Sequence, residues 1–400
     1  THANMVSVLE DAVKELHSYV LPEQEVFVAF LPFSHVIGKL ESIAAYTFGY
    51  QECYAESFDK LIQAMADSRP TILFAVPRVF EKAYTRVNAL LESGPAAKKM
   101  LFHWAMAVGR AYYKEIWAGK KPSFFQASQY NLASRLVFSK VAQRFGGRLR
   151  FSICGGAPLP KEIGEFFQII GIKIIEGYGL TETCAPCTMN PPEDLRFGTV
   201  GKPLPEVQMK IAEDGEILIK SAKLFKGYFK MPEETAQLMH DGWFSTGDIG
   251  QIDRDGFVHI TDRKKDLIIT SGGKNIAPQK IENLAKSRKF ISQFFVHGDR
   301  RNYLTALVTL DREQIETYAA EQQVLFSEYK ELIRHPKILG LIQKAVDDVN
   351  STLASYETVK KFRILPQDFS IESGEMTASL KLKRSVIHQH FRPELDSMYS

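Results

Sequence analysis

Ile174-Ile175-Glu176-Gly177-Tyr178-Gly179-Leu180-Thr181-Glu182-Thr183 is the stretch on which the reading of this chain turns. Its short apolar run reads as a buried strand that stops at a turn holding two glycines around an aromatic ring. A hydroxyl and a carboxylate then follow side by side. Neither glycine carries a Cβ, so backbone can approach a ligand closely. Tyr178 offers a flat face for a purine. Thr181 can donate to a phosphate oxygen, and Glu182 is a hard oxygen ligand suited to Mg²⁺. A strand-to-helix turn with a polar cap accounts for the same ten residues, so other stretches must decide.

Upstream, strands and helices alternate. Helical spacing of Val6, Leu9, Val13 and Leu16 predicts a helix over 4–19, and 26–33 reads as a buried strand. His35 stands at the junction with a second helix marked by Val36, Ile37, Leu40, Ile43 and Ala44. Thr71–Val76 is a strand before Pro77 and a long helix, and 149–153 is a strand leading into Gly155-Gly156-Ala157-Pro158. This alternation predicts a doubly wound, mostly parallel sheet. Residues 96–140 read as helical and rich in aromatics, with Lys98-Lys99 and Lys120-Lys121 at the ends. Such a helix suits a membrane surface, although apolar residues nearly all the way round favour core packing.

Downstream of Pro191 the texture changes to short strands, expected at 198–201, 208–212, 216–220, 227–229 and 256–261. Asp248 follows Gly247 in an expected loop. A charged run, Asp262-Arg263-Lys264-Lys265-Asp266, marks a boundary ahead of the glycine turn Ser271-Gly272-Gly273-Lys274-Asn275. Three parts follow: 1–190, an α/β part of a large domain; 191–264, its β-rich subdomain; and 265–400, a separate C-terminal α+β domain.

Length and composition are those of an ordinary globular protein: 400 residues, 45% apolar, 24% charged, net charge +3. Intermixed acids and bases argue against nucleic acid as the main partner. No apolar run approaches the length of a membrane span. Cys53, Cys154, Cys184 and Cys187 are too few and scattered for a disulfide framework, which points to the cytoplasm. Cys184-x-x-Cys187 lacks the second pair or histidine that a zinc site needs.

Eight segments in register carry a resemblance: LPFSHVIGK (31–39), RPTILFAVPRVFEKAY (69–84), RFSICGGAPLPKEIGEFF (150–167), EGYGLTETCAP (176–186), GTVGKPLP (198–205), GWFSTGDIG (242–250), TDRKKDLIITSGGKNIAP (261–278) and LKLKR (380–384). The chain resembles the adenylate-forming superfamily from Thr1 to its last helix, and within it the long-chain fatty-acid-CoA ligases. The resemblance implies that Gly155, Gly156, Ala157, Pro158, Glu176, Gly177, Tyr178 and Gly179 line an adenine site. Thr181 would contact phosphate, Glu182 would bind Mg²⁺, and Asp248 and Arg263 would hold the ribose. Lys265 would be a hinge, and Gly272, Gly273 and Lys274 would border the CoA channel. His35 and Gly38 would border the acyl site.

Lys381 would be the catalytic lysine, with Lys383 as the other candidate. The superfamily pattern there has glycine before the lysine, where this chain has Leu380. The long-chain branch has T-P-T where this chain has Thr377-Ala378-Ser379.

The implied cofactors are ATP or AMP, Mg²⁺ and CoA, with a long-chain fatty acid as substrate. The reaction implied is acyl-adenylate formation followed by transfer to CoA. The family's phosphate loop lies upstream of a Thr-His-x-Asn segment, and this chain begins at Thr1-His2-Ala3-Asn4. The expectation is therefore of a truncated, inactive chain with self-association along raw sheet edges. Two rivals remain: a fatty acyl-AMP ligase that loads a carrier protein, and a non-catalytic remnant that binds nucleotide or acyl groups.

Overall fold

The computed structural model describes every residue except His17, Pro22, Glu23, Asp59, Ser93, Ala378 and Ser379. Two compact units emerge: Thr1–Thr246 with Gly250–Ile260, and Gly247–Ile249 with Thr261–Ser400.

The first unit begins with α1 (His2–Leu16), β1 (Val26–Ala29), α2 (Val36–Phe48), β2 (Gln51–Tyr54), α3 (Leu61–Ser68), β3 (Ile72–Ala75) and α4 (Pro77–Glu92). Then come α5 (Ala96–Trp117), α6 (Phe124–Ala133), a π-helical turn (Ser134–Phe138), α7 (Ser139–Ala142), β4 (Phe151–Cys154), α8 (Lys161–Ile169) and β5 (Lys173–Leu180). β1 and β2 pair in parallel, as do β3, β4 and β5, with Ala75, Cys154 and Glu176 in one row.

Successive strand residues point to opposite faces. Leu73 and Ile174 enter a core with Phe80, Phe138 and Phe167, whereas Ile72 and Ile175 enter another with Val8, Leu9 and Leu40. A parallel sheet covered on both faces needs such uninterrupted apolar runs, which is why these strands read so clearly. Phe80 meets Phe167 edge-on at 5.1 Å, and each such buried ring contributes about 1.5–3 kcal/mol. α1 is tied down by polar contacts as well. Asn4 donates to the Ala222 and Leu224 carbonyls, both at 2.9 Å, and Asp11 forms a buried ion pair with Lys223.

The remaining strands of this region are β6 (Ala185–Met189), β7 (Lys202–Pro203), β8 (Gln208–Ile211), β9 (Glu216–Lys220), β10 (Met239–His240), β11 (Trp243–Ile252) and β12 (Val258–Arg263). β6 runs antiparallel to β5 and to β7. The order β10-β11-β9-β8, with β12 on β11, makes the β-rich part.

Four expectations need correction. The ten-residue opening stretch is not a strand that stops at a turn: β5 continues to Leu180, because β6 supplies a ladder partner beyond Glu176. Residues 96–140 are not one continuous helix; the chain turns between Trp117 and Phe124. No strand forms at 198–201 or 227–229: the first falls at 202–203, and in the second Phe229 is 86% exposed while Tyr228 turns towards Glu182. Asp248 lies within β11, whose residues alternate between half-buried and buried along the 243–250 stretch, rather than in a loop.

In the second unit the hairpin β13 (Ile268–Ile269) and β14 (Asn275–Ile276) precedes a helix, Pro278–Lys286. β15 (Ile291–His297), β16 (Leu304–Leu310) and β17 (Val359–Ile364) form a sheet, antiparallel then parallel. Helices at Arg312–Glu321, Tyr329–Leu332 and Pro336–Asn350 and the terminal helices Arg384–His390 and Arg392–Ser397 accompany it. No helix among the described residues is long and apolar enough to cross a membrane.

Candidate functional site

In the first unit the site residues meet around β4 and β5. Gly155 leaves β4 into a turn where Gly156 has φ 87°. A Cβ on Gly155 would lie 3.3 Å from the Gly177 carbonyl oxygen, and one on Gly177 would lie 3.1 Å from that of Thr188. A Cβ on Gly179 would fall 2.0 Å from the Ala185 carbonyl oxygen, so that glycine is demanded by β6 itself. Tyr178 is 8% exposed and packs in the apolar cluster with Ala185 and Cys187. Ala157 is exposed and Pro158 half-buried.

Glu176 binds the turn to the strand. Its Oε2 accepts from the Leu159 N–H at 3.4 Å, and the Gly198 N–H also donates to its carboxylate. Burial pushes its pKa up to about 8, and the two backbone donors only partly offset that. Oε1 has no hydrogen-bond partner among the described residues. Because the folded carboxyl holds its proton to higher pH than the unfolded one, stability should fall as pH rises from the ordinary carboxylate range through about 8. Glu176→Gln keeps an acceptor for both N–H groups and cannot ionise. The variant should match the parent's urea midpoint at about pH 5 and exceed it at about pH 9. Equal midpoints at both pH values would refute this reading of Glu176.

Beyond β5, Thr181 is exposed and Glu182 half-buried on a short 3₁₀ turn, Thr181–Thr183. The Tyr228 hydroxyl donates to Glu182 Oε1 at 2.7 Å, and the Glu182 carbonyl accepts from the Phe225 N–H at 2.8 Å. Sequence reasoning missed Tyr228. Its only local signal was a tyrosine after glycine in a stretch expected to be a short strand, 46 residues from its partner.

His35 and Gly38 hold the start of α2. His35 Nδ1 accepts from the Ile37 N–H at 3.3 Å, and a Cβ on Gly38 would lie 2.6 Å from the Pro32 carbonyl oxygen. Both residues therefore have a structural task at this corner.

In the second unit, Asp248, 3% exposed, pairs with Arg263 Nε at 2.9 Å. Lys381 is in electrostatic range of both: burial lowers its pKa first, Arg263 lowers it further, and Asp248 opposes them. Lys383 is exposed. The Lys381 backbone N–H donates to Thr377 Oγ1 at 3.0 Å, and the Thr377 N–H returns to the Lys381 carbonyl at 2.8 Å. Leu380 has φ 62°, a left-handed conformation in which glycine is comfortable and leucine is not. Of the Thr377-Ala378-Ser379 departure, Ala378 and Ser379 lie outside the described residues.

Arg384 anchors the next helix. It bonds Glu282 at 2.7 Å and the Val296 carbonyl at 2.6 Å. Lys265 is exposed on the 3₁₀ turn Lys264–Asp266. Gly272, Gly273 and Lys274 are exposed in the β13–β14 turn, which the Gly273 N–H closes onto the Thr270 carbonyl at 2.9 Å.

The Asp248–Arg263 pair and the partly buried Lys381 bring a carboxylate and two cations together in the second unit, and comparison with known proteins gives the chain a family. Residues 1–229 match the family model described as "AMP-binding enzyme", and residues 265–400 match "AMP-binding enzyme C-terminal domain". Long-chain-fatty-acid--CoA ligase FadD15 of Mycobacterium bovis is 35% identical over 402 residues, covering 100% of this chain and 66% of the relative. The peroxisomal long chain acyl-CoA synthetase 7 of Arabidopsis thaliana is 31% identical, over 100% of this chain and 58% of its own length. The chain thus spans under two thirds of either relative.

Among solved structures, the adenylation domain of a Mycobacterium chelonae carboxylate reductase matches with a TM-score of 0.75 at 25% identity. That match covers 99% of this chain and 56% of the other. The two family models cover residues 1–229 and 265–400, more than half of the sequence: this chain belongs to the AMP-binding enzyme family.

Proposed function

We propose that the protein carrying this chain activates long-chain fatty acids with ATP and transfers the acyl group to CoA. The observation that carries the reading is Lys381 drawn into partial burial beside the Asp248–Arg263 pair, inside one compact unit. The likeness of the whole of this chain to 66% of a relative named as a long-chain fatty-acid-CoA ligase supports it.

In the first half-reaction a fatty carboxylate oxygen attacks the α-phosphorus of ATP and pyrophosphate leaves with the bonding pair. Lys381 supplies a positive charge for the developing oxyanions. Asp248 accepts from the ribose hydroxyls, and Arg263 holds that carboxylate in place through its Nε at 2.9 Å. The 155–158 turn and β5 backbone take adenine, and Thr181 donates to phosphate.

Glu182 suits Mg²⁺, which binds through one or two carboxylates and completes its shell with phosphate oxygens and water. Tyr228 already orients that carboxylate. The ion would neutralise phosphate charge. In the second half-reaction the CoA sulfur attacks the acyl carbon and AMP departs. The Gly272–Lys274 turn is assigned to CoA, Lys265 to the hinge between 1–264 and 265–400, and His35 with Gly38 to the acyl end.

The same reading assigns the protein to the cytoplasm, with access to the inner membrane face. β2, which among the described residues pairs only with β1, offers an edge for self-association.

The test is product analysis with the protein as encoded. Palmitate, ATP and CoA should give acyl-CoA, AMP and pyrophosphate in equal amounts. Each added methylene should tighten binding about fourfold until the site is full. A profile peaking at acetate would sink the long-chain assignment. Transfer to a carrier protein in preference to CoA would select the acyl-AMP ligase reading, and no pyrophosphate release the non-catalytic one.

A further inference from the structure

The intermixed charge of the chain is interrupted for longest in one stretch. Between Glu115 and Glu162 there is no acidic residue, and eight basic ones: Lys120, Lys121, Arg135, Lys140, Arg144, Arg148, Arg150 and Lys161. All except Arg150, which pairs with Glu25, and Lys161, which pairs with Glu165, are exposed cations without an acidic partner in their own stretch.

The same stretch carries unusual apolar exposure. Phe124 is 90% exposed, Phe125 68%, Leu132 50% and Leu136 41%. Scattered apolar residues at a surface mean little. Here, however, Phe125, Leu132 and Leu136 recur at helical spacing on one outward face. Tyr130, Ala133, Val137 and Phe138 take the inward face.

The hairpin is held firmly from below. Tyr112 and Tyr130 stack at 4.4 Å, Trp117 Nε1 donates to Gln168 at 2.8 Å, and the Tyr130 hydroxyl donates to the Ile169 carbonyl at 2.9 Å. A reciprocal capping box between Ser123 and Gln126 pins the start of α6, where the two phenylalanines project. Exposure of these rings is therefore built in by the way the helices pack.

We infer that the outer face of α6 and the Lys120–Phe125 turn form a docking surface for an anionic lipid bilayer. Charge complementarity selects that occupant. A helix lying in the bilayer interface needs an apolar face against the acyl chains and a basic rim at the headgroups. Both are present within residues 120–144, with no carboxylate to repel the lipid. The expectation that this helical region is core is corrected for α6: its inner face is core and its outer face is open. The inference stands apart from the ligase reading, because vesicle binding is measured without turnover.

Co-sedimentation of the full chain with phosphatidylcholine vesicles, with and without phosphatidylglycerol, tests it. Binding should require phosphatidylglycerol and weaken in high salt. The double variant F124S/F125S should bind at least about tenfold more weakly, because each inserted ring contributes on the order of tenfold. K120E/K121E should lose about fivefold or more per site.

Both pairs are exposed, so thermal melting should be unchanged and serves as the folding control. F124W should shift its emission to the blue on addition of anionic vesicles. Vesicle binding that survives both double variants would overturn the proposal. So would equal binding to neutral vesicles. Self-association of the parent without lipid, abolished by F124S/F125S, would make the face a contact between copies instead.

Discussion

Lys381→Ala is expected to slow acyl-adenylate formation by on the order of 10²–10³-fold, the usual cost of removing one group aimed at transition-state charge. Transfer of a supplied acyl-adenylate to CoA should change by no more than a few-fold, since Lys381 is assigned to the first step alone. Folding should be little affected: burial and the Arg263 guanidinium already disfavour the Lys381 charge. The two hydrogen bonds that shape its loop run through its backbone, which alanine retains. Lys383→Ala, at an exposed position, should leave both steps near the parent rate. The measurement is fatty-acid-dependent ATP–pyrophosphate exchange beside a thioesterification assay. Normal exchange in Lys381→Ala with loss in Lys383→Ala would show that the register is wrong by two residues.

Gly179→Ala is expected to cost about 3 kcal/mol or more, at the severe end for a single added methyl. The new Cβ would sit 2.0 Å from the Ala185 carbonyl oxygen and 2.5 Å from its carbon, with the Pro186 Cα at 2.9 Å. These are atoms of the adjoining β6 backbone, which cannot swing aside as a side-chain tip can. The β5–β6 ladder must open, and Thr181 and Glu182 move with it.

Gly171→Ala is the matched control. Gly171 has φ 93° and open space around the built Cβ, so only backbone strain applies, about 1 kcal/mol. Urea unfolding of both variants beside the parent separates the two effects, and AMP binding by calorimetry should fall for Gly179→Ala alone. A Gly179→Ala protein as stable as the Gly171→Ala one would mean that β6 yields easily, and the packing account of Gly179 would be wrong.

Much of the fold was legible in the chain. The runs at Val26–Ala29, Ile72–Ala75 and Ile174–Ile175 declare strands buried on both faces, since only such strands can do without polar alternation. Pro77 opens a helix, where a missing N–H costs nothing. The order of glycine turns and charged runs sufficed for the family resemblance.

Tertiary structure decided the rest, because long-range partners leave no local period. The opening stretch looked like a strand ending in a turn; β6 arrives from beyond it and extends β5 to Leu180. Its glycines looked like room for a ligand, and at Gly179 the room is taken by the Ala185 carbonyl. Tyr228 meets Glu182 across 46 residues, and Lys381 meets an ion pair formed by residues 248 and 263. Helical spacing marks an apolar face on α6 but not which faces find partners. Packing against α5 covers one side and leaves Phe124 and Phe125 to the solvent. Sequence sets which elements can form, by local sterics and periodicity; which side chains meet is set by how those elements close on one another.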